Sequence, residues 1–333
     1  MESLKNLPII VRFCDQLVTK RGSSPSTRRC YQTDLSHLAG FIANKHKLTV
    51  NFSAEEDELN KLIEMTEMPR ASTTITRAMI DADAEFLRDF FNQLETNHYS
   101  VSSTLRMIAC LRSFYKWANS FRSSNSDPMR EIRGPRKIRS IPRILSIEDI
   151  ERVIDTPNNS KTLGLRDQAM IGTLFATSMR VGELVNINVD DLGLSDTKSW
   201  IKIRNSDHKK EDRVVTLDDH TVCSIKHFMD HVKNDPRFCE IWNGKTPRPL
   251  FFNKFGQRIN QRSVRRLLRK HSHSAGFVPA INPNTIRHSS AIHLLKGGID
   301  KDEMQRLLGL SSRTTIDVYS RTLKNLELAT TAK

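Results

Sequence analysis

The sequence predicts a mainly α-helical protein of two domains, with a small antiparallel β-sheet in the second domain. Three observations lead to this fold class. Apolar residues recur at helical spacing through most of residues 1–125 and again after residue 260. A segment rich in proline, glycine and basic residues, 133–143, interrupts that pattern. Residues 200–206 and 213–217 instead alternate apolar and polar side chains, as half-buried strands do.

Length and composition limit the class of protein. The chain has 333 residues, enough for two domains, and its 38% apolar and 27% charged residues are typical of a folded globular protein. Lysine and arginine outnumber aspartate and glutamate by 52 to 38, which gives a formal net charge of +14. Such a surplus is typical of nucleic-acid binding, although a generally basic surface would give the same charge.

Targeting and metal signals are missing from the sequence. It contains no apolar run long enough to cross a membrane and no signal-peptide pattern at its start. The five cysteines are scattered and form no CxxC pair. We therefore expect a cytoplasmic protein without a membrane partner, a disulfide framework or a metal site.

Start and stop signals define the helices of the first domain. Pro8 can begin a helix that Gly22 ends, and Ser24 can cap the next one. The predicted helices begin near Pro8, Pro25, Phe86 and Ser102. Residues 49–78 show no sustained period, and we interpret them as an insertion.

Residues 133–143 form the boundary between the predicted domains. Two prolines, a glycine and five basic residues in this segment oppose a stable helix. An extended, positively charged linker is the natural interpretation. The first domain is thus assigned to 1–132 and the second to 144–333.

The second domain combines helices with one hairpin. Ser146 is predicted to cap its first helix, and the polar segment 207–212 joins the two strands. The other predicted helices cover 165–178, 180–187, Arg262–Ser274, Pro283–Lys296, Lys301–Leu308 and a stretch from about Thr315.

The residues that could carry chemistry are cations of the second domain. Arg180 begins a helix, and Glu183 three residues later can brace it. Arg287 lies in an otherwise apolar helix and shares a face with Ala291 and Leu294, so we expect it to point inward. A buried arginine needs an anionic partner or a ring of acceptors, which leaves a structural ion pair and an anion site both open. Nucleotide-binding loops and common hydrolase motifs are absent from the sequence.

The order of the motifs resembles the tyrosine recombinase (phage integrase) family, of the Xer and integrase type. The chain contains SMRVGEL, a lysine-bearing hairpin that ends in RVVTL, then NPNTIRHSSAIHLL and LLGLSSRTTIDVYS. The first domain agrees through SPSTRRCYQTDL, STLRMIACLRSFYKWA and DPMREIRGPRKIRSIPRILS. This resemblance covers nearly the whole chain except 49–78. It implies a helical, SAM-like core-binding domain and a catalytic domain that form a clamp around duplex DNA.

The resemblance also implies catalytic roles for Tyr319, Arg180, Arg287, a hairpin lysine and Asn284. Tyr319 would attack a DNA phosphodiester and form a 3′-phosphotyrosyl link. Arg180 and Arg287 would hold the non-bridging oxygens, because a forked guanidinium donates two directed hydrogen bonds. A lysine of the hairpin would protonate the leaving 5′-oxygen, and the count from RVVTL favours Lys209 over Lys210 without fixing the register.

Further family positions have supporting roles or depart from the pattern. The resemblance implies that Glu183 orients Arg180 and that His288 supports the site. The family's HxxR histidine falls at Asn284, and the histidine or tryptophan that follows LLG falls at Leu310. An amide can donate a hydrogen bond but cannot exchange a proton near neutral pH, and leucine can only pack. We therefore expect Asn284 to be a working but suboptimal replacement.

The expected partners are double-stranded DNA and further copies of the chain. The resemblance implies a dimer on one site, a tetramer on paired sites and a nucleoid-associated location when DNA is bound. It implies no metal and no nucleotide, because the phosphotyrosine retains the bond energy. The side chains expected to contact DNA are Arg112, Lys116, Arg136, Lys137, Arg139, Arg262, Arg265, Arg266 and Arg269. A short apolar stripe at Leu323, Leu326 and Ala329 would dock on a neighbouring subunit, or else fold back on its own domain.

These observations favour a site-specific DNA recombinase that cleaves and rejoins DNA. One alternative is a catalytically weakened relative with an architectural or regulatory role, which Asn284 and Leu310 favour. A second is an enzyme similar to type IB topoisomerases, against which the separate helical domain and basic linker count. Integration, excision, dimer resolution and transposition all remain compatible with the sequence.

Overall fold

A computed structural model describes residues 3–64, 74–119, 127–136, 142–195, 197–205, 211–244, 247–310 and 312–331. Within these ranges the chain is mostly helical and has one three-stranded antiparallel sheet, which confirms the predicted fold class. It divides into two compact units, Met1–Arg139 and Ser140–Lys333. The division falls inside the segment predicted as a linker. None of the described helices is both long and apolar enough to cross a membrane.

The first unit is built from helices alone in its described part. They are α1 (Pro8–Arg21), α2 (Pro25–His46), α3 (Phe52–Glu64), α4 (Ile75–Asp81), α5 (Ala84–Thr96) and α6 (Val101–Ala118), after a short 3-10 turn at Ser3–Asn6. Gly22 ends α1 and Ser24 caps α2, as the sequence predicts. Helix α6 begins slightly earlier than predicted, because Ser100 caps it through the backbone N–H of Ser103.

The segment 49–78 contains two helices that the sequence pattern did not predict, α3 and the start of α4. Leu59 and Leu62 of α3 are buried in the core of the first unit. The buried carboxylate of Glu55 accepts hydrogen bonds from the backbone N–H groups of Ile75 (2.8 Å) and Thr76 (2.7 Å), at the start of α4. A negative group at a helix N-terminus satisfies otherwise unpaired donors. This contact joins the two described ends of the segment, and the buried leucines attach the segment to the core of the first unit.

The described part of the second unit contains helices and the small three-stranded sheet. The helices are α7 (Ile147–Ile154), α8 (Thr162–Thr177), α9 (Val181–Leu184), α10 (Asp219–Asn234), α11 (Cys239–Asn243), α12 (Gln261–Ser274), α13 (Pro283–Lys296), α14 (Lys301–Leu308) and α15 (Thr314–Thr331). The strands are β1 (Leu192–Gly193), β2 (Trp200–Ile203) and β3 (Arg213–Thr216), in that spatial order. Ile201 of β2 faces both Leu192 and Val215 in the ladder.

Helix α10 and strand β1 were not predicted from the sequence. The signal for α10 was present, since Val222, Ile225, Phe228 and Val232 are buried at helical spacing. Helix α10 packs closely against α8, which contributes to the main core of this unit.

A second, smaller core positions the C-terminal helices. Ala291 and Ile292 of α13, Met304 and Leu308 of α14, and Ile316 and Tyr319 of α15 form this cluster. Helix α13 packs against α8, α14 and α15 at once. It therefore connects α8, which ends just before Arg180, with α15, the helix that carries Tyr319.

Candidate active site

Arg180 lies where α8 gives way to α9. Ser178 ends α8 in a left-handed conformation (φ 50°), and the backbone N–H of Arg180 then donates to Oε2 of Glu183 at 2.7 Å. The half-exposed guanidinium donates through Nη1 to Oε1 of Glu183 and through Nη2 to the carbonyl of Gly309, both at 3.2 Å. Because a guanidinium carries five N–H donors, Arg180 retains donors for an anion.

Glu183 binds a second arginine that the sequence analysis did not single out. Nη1 and Nη2 of Arg213, the first residue of β3, donate to the two carboxylate oxygens at 3.0 and 2.8 Å. Burial acts to raise the pKa of Glu183, but the hydrogen bonds and charge of Arg213, with those of Arg180, lower it overall. Glu183 thus stays ionised and braces Arg180, although its stronger contact is with Arg213. The RVV motif after the hairpin was the available signal for this residue.

Arg287 is buried, as its place on the apolar helix predicts, with 6% of its surface exposed. Its Nη1 donates to the carbonyl of Ser178 at 2.6 Å and its Nη2 to that of Leu308 at 2.7 Å. Burial, together with the nearby charge of Arg180, lowers the pKa of Arg287 to about 10. Among the described residues Arg287 therefore bonds to two backbone carbonyls and forms no ion pair with a carboxylate, which leaves the anion site as the open interpretation.

The end of α14 holds all three arginines. The consecutive carbonyls of Leu307, Leu308 and Gly309 accept hydrogen bonds from Arg213, Arg287 and Arg180 in turn. The last carbonyls of a helix lack intrahelical partners and carry the negative end of its dipole. The LLG motif therefore acts as a backbone anchor for a group of cations.

Tyr319 lies on α15 against α13 and is 3% exposed. Its hydroxyl oxygen lies 2.9 Å from Nδ1 of His288, the residue that follows Arg287. Burial raises the pKa of Tyr319, although the charges of Arg287 and Arg180 act to lower it. Burial and the charge of Arg287 lower the pKa of His288.

The two departures from the family pattern occupy different surroundings. Asn284 is exposed in the first turn of α13, where its backbone N–H donates to Oδ1 of Asn282 at 2.9 Å. Leu310 is half-buried and packs against the cluster that contains Tyr319. Lys209 and Lys210 lie outside the described residues. Strand β3, which follows them, begins at Arg213, and this first residue of the strand is the one that binds Glu183.

The basic side chains predicted to contact DNA divide between the two units. Exposed on α12 are Arg262, Arg265, Arg266 and Arg269. Helix α12 packs against α9, which places this basic helix beside Arg180. Arg258 belongs to the same basic run in the sequence, but its guanidinium points inward and donates to the backbone carbonyls of Val185 and Ile187.

In the first unit, Lys116 and Arg136 are exposed. Arg112 is also exposed, and one of its nitrogens donates to the carbonyl of Ile132 at 2.8 Å. Lys137 and Arg139 lie outside the described residues. Within the described ranges, no three His, Cys, Asp or Glu side chains come together as metal ligands.

Known proteins share both sequence and fold with this chain. The profile of the phage integrase family matches residues 143–325. The tyrosine recombinase XerC of Pelobacter propionicus is 30% identical over 304 residues, which cover 91% of this chain and 87% of the relative.

Two solved structures share the fold. XerH site-specific recombinase bound to palindromic difH substrate, in a post-cleavage complex, matches with a TM-score of 0.68 at 17% identity, over 95% of this chain and 82% of that one. A lambda integrase tetramer bound to a Holliday junction matches with a TM-score of 0.60 at 17% identity, over 92% of this chain and 77% of that one.

Proposed function

The chain belongs to the phage integrase family and is a tyrosine-type site-specific recombinase, and on this basis we propose that Tyr319 is its DNA-cleaving nucleophile. The observation that carries the assignment is the common anchorage of Arg180 and Arg287 on α14, in the same cluster of helices that holds Tyr319. Attack of the Tyr319 hydroxyl on phosphorus yields a 3′-phosphotyrosyl link and a free 5′-hydroxyl. Rejoining reverses the step, so the bond energy is retained in the protein–DNA link.

Arg180 and Arg287 form the proposed phosphate site. Negative charge develops on the non-bridging oxygens in the transition state, and preorganised cations stabilise it most where water is excluded. Both guanidinium groups are already held by backbone carbonyls, so little reorganisation is needed when DNA binds. Glu183 and Arg213 act as positioning residues for Arg180.

Proton transfer to the leaving 5′-oxygen is assigned to the hairpin lysine, Lys209. Its ammonium is a compact donor on a flexible stem, suited to a leaving group that moves as the bond breaks. Lys210 is the neighbouring alternative. Exposed Asn284 supplies a hydrogen-bond donor to the phosphate.

Duplex DNA and further copies of the chain are the proposed partners. The +14 charge and the exposed arginines of α12 support DNA binding. The structurally similar XerH is described on its difH substrate, and lambda integrase as a tetramer on a Holliday junction. We accordingly propose a dimer on one site and a tetramer on paired sites. The similarity to XerC favours recombination over the topoisomerase-like and purely architectural alternatives.

Substitution of Tyr319 tests the assignment. The DNA is a nicked suicide duplex that carries a site selected by the protein itself from random sequence. Tyr319→Phe should bind this duplex with parental affinity and form no covalent protein–DNA adduct, since only the hydroxyl is removed. Tyr99→Phe in the first unit is the matched control and should form the adduct at the parental rate. An adduct formed by Tyr319→Phe would show that another residue is the nucleophile.

A further inference from the structure

His288 and Arg287 both bond to the Tyr319 hydroxyl, and the proposed function gives the contact with His288 a chemical consequence. Nδ1 lies 2.9 Å from the hydroxyl oxygen, within the distance needed for direct proton transfer. The rings lie 5.5 Å apart between centroids, one on α13 and one on α15. Because these helices share a buried cluster, packing fixes the distance between the two side chains.

The other residues of the proposed site cannot accept the proton of the tyrosine. Arg180 and Arg287 are cations with no acceptor atom. The amide of Asn284 does not exchange protons near neutral pH, and Leu310 has no polar side-chain atom. Imidazole is the side chain best suited to take up a proton at physiological pH.

Burial and the charge of Arg287 keep His288 neutral before reaction. Arg287 on its own helix repels a second positive charge, and Tyr319 on α15 is uncharged while it carries its proton. Lys301 of α14 is paired with Asp317 of α15 at 3.5 Å. Where α8 meets α13, the hydroxyls of Ser178 and Ser290 bond to each other. A neutral imidazole with its proton on Nε2 presents a lone pair at Nδ1 to the tyrosine hydroxyl.

We propose that His288 is the general base of this recombinase, an assignment that rests on Tyr319 being the nucleophile. As the tyrosine oxygen bonds to phosphorus, its proton passes to Nδ1 of His288. The bond from phosphorus to the 5′-oxygen breaks, and the departing electron pair takes a proton from the hairpin lysine. In rejoining, the 5′-hydroxyl attacks phosphorus and gives its proton to the hairpin lysine. The bond from phosphorus to the tyrosine oxygen breaks, and His288 returns its proton to that oxygen. The scissile phosphate supplies the negative charge that favours the transient imidazolium beside Arg287.

DNA with a modified leaving group separates the role of the general base, His288, from that of the general acid, the hairpin lysine. A duplex with sulfur in place of the bridging 5′-oxygen releases a thiolate, which needs no proton from the lysine. His288→Asn keeps a hydrogen-bond acceptor near the position of Nδ1 but cannot carry the proton. On this DNA the variant should cleave at least about 100-fold more slowly than the parent, the scale expected when a general base is removed. His293→Gln is the control, since His293 on the same helix bonds to the backbone carbonyl of Leu145 at 2.8 Å and packs against the ring of Phe175.

The pH dependence of cleavage identifies a base rather than a positioning residue. The pKa of His288 lies below its usual 6.5, so the parental rate should be constant above that value and fall as pH drops through the lowered pKa. In His288→Asn the rate should instead keep rising toward alkaline pH, because solvent must then take the proton. The control should retain the parental profile.

Each result decides one assignment. If His288→Asn cleaves the sulfur-substituted DNA with the parental rate and pH profile, His288 is not the general base. The assignment of Tyr319 as nucleophile would still stand, provided that Tyr319→Phe forms no adduct. An adduct in Tyr319→Phe would overturn the proposed function itself. If His288→Asn fails to fold, His288→Gln replaces it in the same rate and pH measurements, since its amide also offers an acceptor and cannot carry the proton.

Discussion

Individual residues of the active site are held by neighbours far away in the chain. The guanidinium of Arg180 reaches Gly309 across 129 positions, and Arg213 reaches Glu183 across 30. Arg213 and Glu183 are 12% and 14% exposed, so the pair is largely withdrawn from water. Removing one partner of a buried pair leaves an uncompensated charge, so loss of Arg213 should disturb Glu183 and, through it, the position of Arg180.

The proposed mechanism places Asn284 at the phosphate, so substitution at this position tests what a second proton-exchanging group would add. Asn284→His should raise the cleavage rate on all-oxygen DNA, because an imidazole can both donate a hydrogen bond and exchange a proton. Asn284→Ala should lower it about tenfold, the value of one hydrogen bond to a charged group. Single-turnover cleavage of the suicide duplex measures both. Asn234→His on α10 serves as the control, and equal rates in all variants would place residue 284 outside the active site.

At the level of the helices, the C-terminal end of α14 organises the site through its backbone. Gly309 ends the helix in a left-handed conformation (φ 57°), and a Cβ at this position would lie 2.9 Å from Nη1 of Arg213. Glycine is therefore required both by the turn and by the approach of the guanidinium.

Gly309→Ala should lower both stability and cleavage. The left-handed turn accounts for about 1 kcal/mol of destabilisation, and the displaced Arg213 loosens Glu183 and Arg180. Gly276→Ala is a matched control, since Gly276 is also left-handed (φ 84°) but a Cβ there would have no heavy atom within 4 Å. Urea unfolding should detect a similar decrease in both variants, and the cleavage rate should fall only in Gly309→Ala. A parental cleavage rate in Gly309→Ala would contradict the anchoring role of the helix end.

Helix α12 presents a row of exposed arginines to the solvent, and phosphate contacts of this kind make DNA affinity depend on salt. Changing Arg262, Arg265, Arg266 and Arg269 to alanine should flatten the slope of log affinity against log salt by about 0.9 for each phosphate that is no longer neutralised. A charge-matched control removes four cations that are already paired with acids, through Arg88→Ala, Arg152→Ala, Lys233→Ala and Arg237→Ala. The control should keep a slope close to the parental one. Equal slopes in both variants would remove α12 from the DNA interface.

For the protein as a whole, the C-terminal part of α15 bears on assembly. Leu323 packs against the cluster that holds Tyr319, whereas Leu326 and Leu328 are 37% and 68% exposed. A helical end with exposed leucines gains stability when an apolar surface covers it. A neighbouring subunit that covers it would couple assembly to the position of the tyrosine helix.

Deletion of residues 326–333 tests this coupling while sparing Leu323. Binding to a single site should stay within about twofold of the parent, because the basic side chains remain. Complexes that pair two sites should disappear, and strand exchange with them, as measured by native gel shift and by joining of two marked duplexes. Leu326→Ala with Leu328→Ala should reproduce this defect without shortening the chain. Normal pairing by the deleted protein would show that the tail has no part in assembly.

Local signals in the sequence were enough to establish the helical fold class, most helix ends and the identity of the principal cations. These features depend on residues close to each other in the chain: Pro8 and Ser24 at helix starts, the inward face of Arg287, and the order of motifs that ends in Tyr319. The apolar stripe of α10 was equally local and could have been found in the same way.

Which of these residues act together depends on the packing of distant segments and could be learned from the folded chain alone. The contact of His288 with Tyr319, the second arginine on Glu183 and the anchoring of three arginines on α14 all join such segments. Packing also turns Arg258 inward and ties α3 to α4 through Glu55, neither of which any periodicity predicts. Periodicity reports which face of an element is buried, whereas a hydrogen bond or an ion pair depends on how packing brings separate elements together.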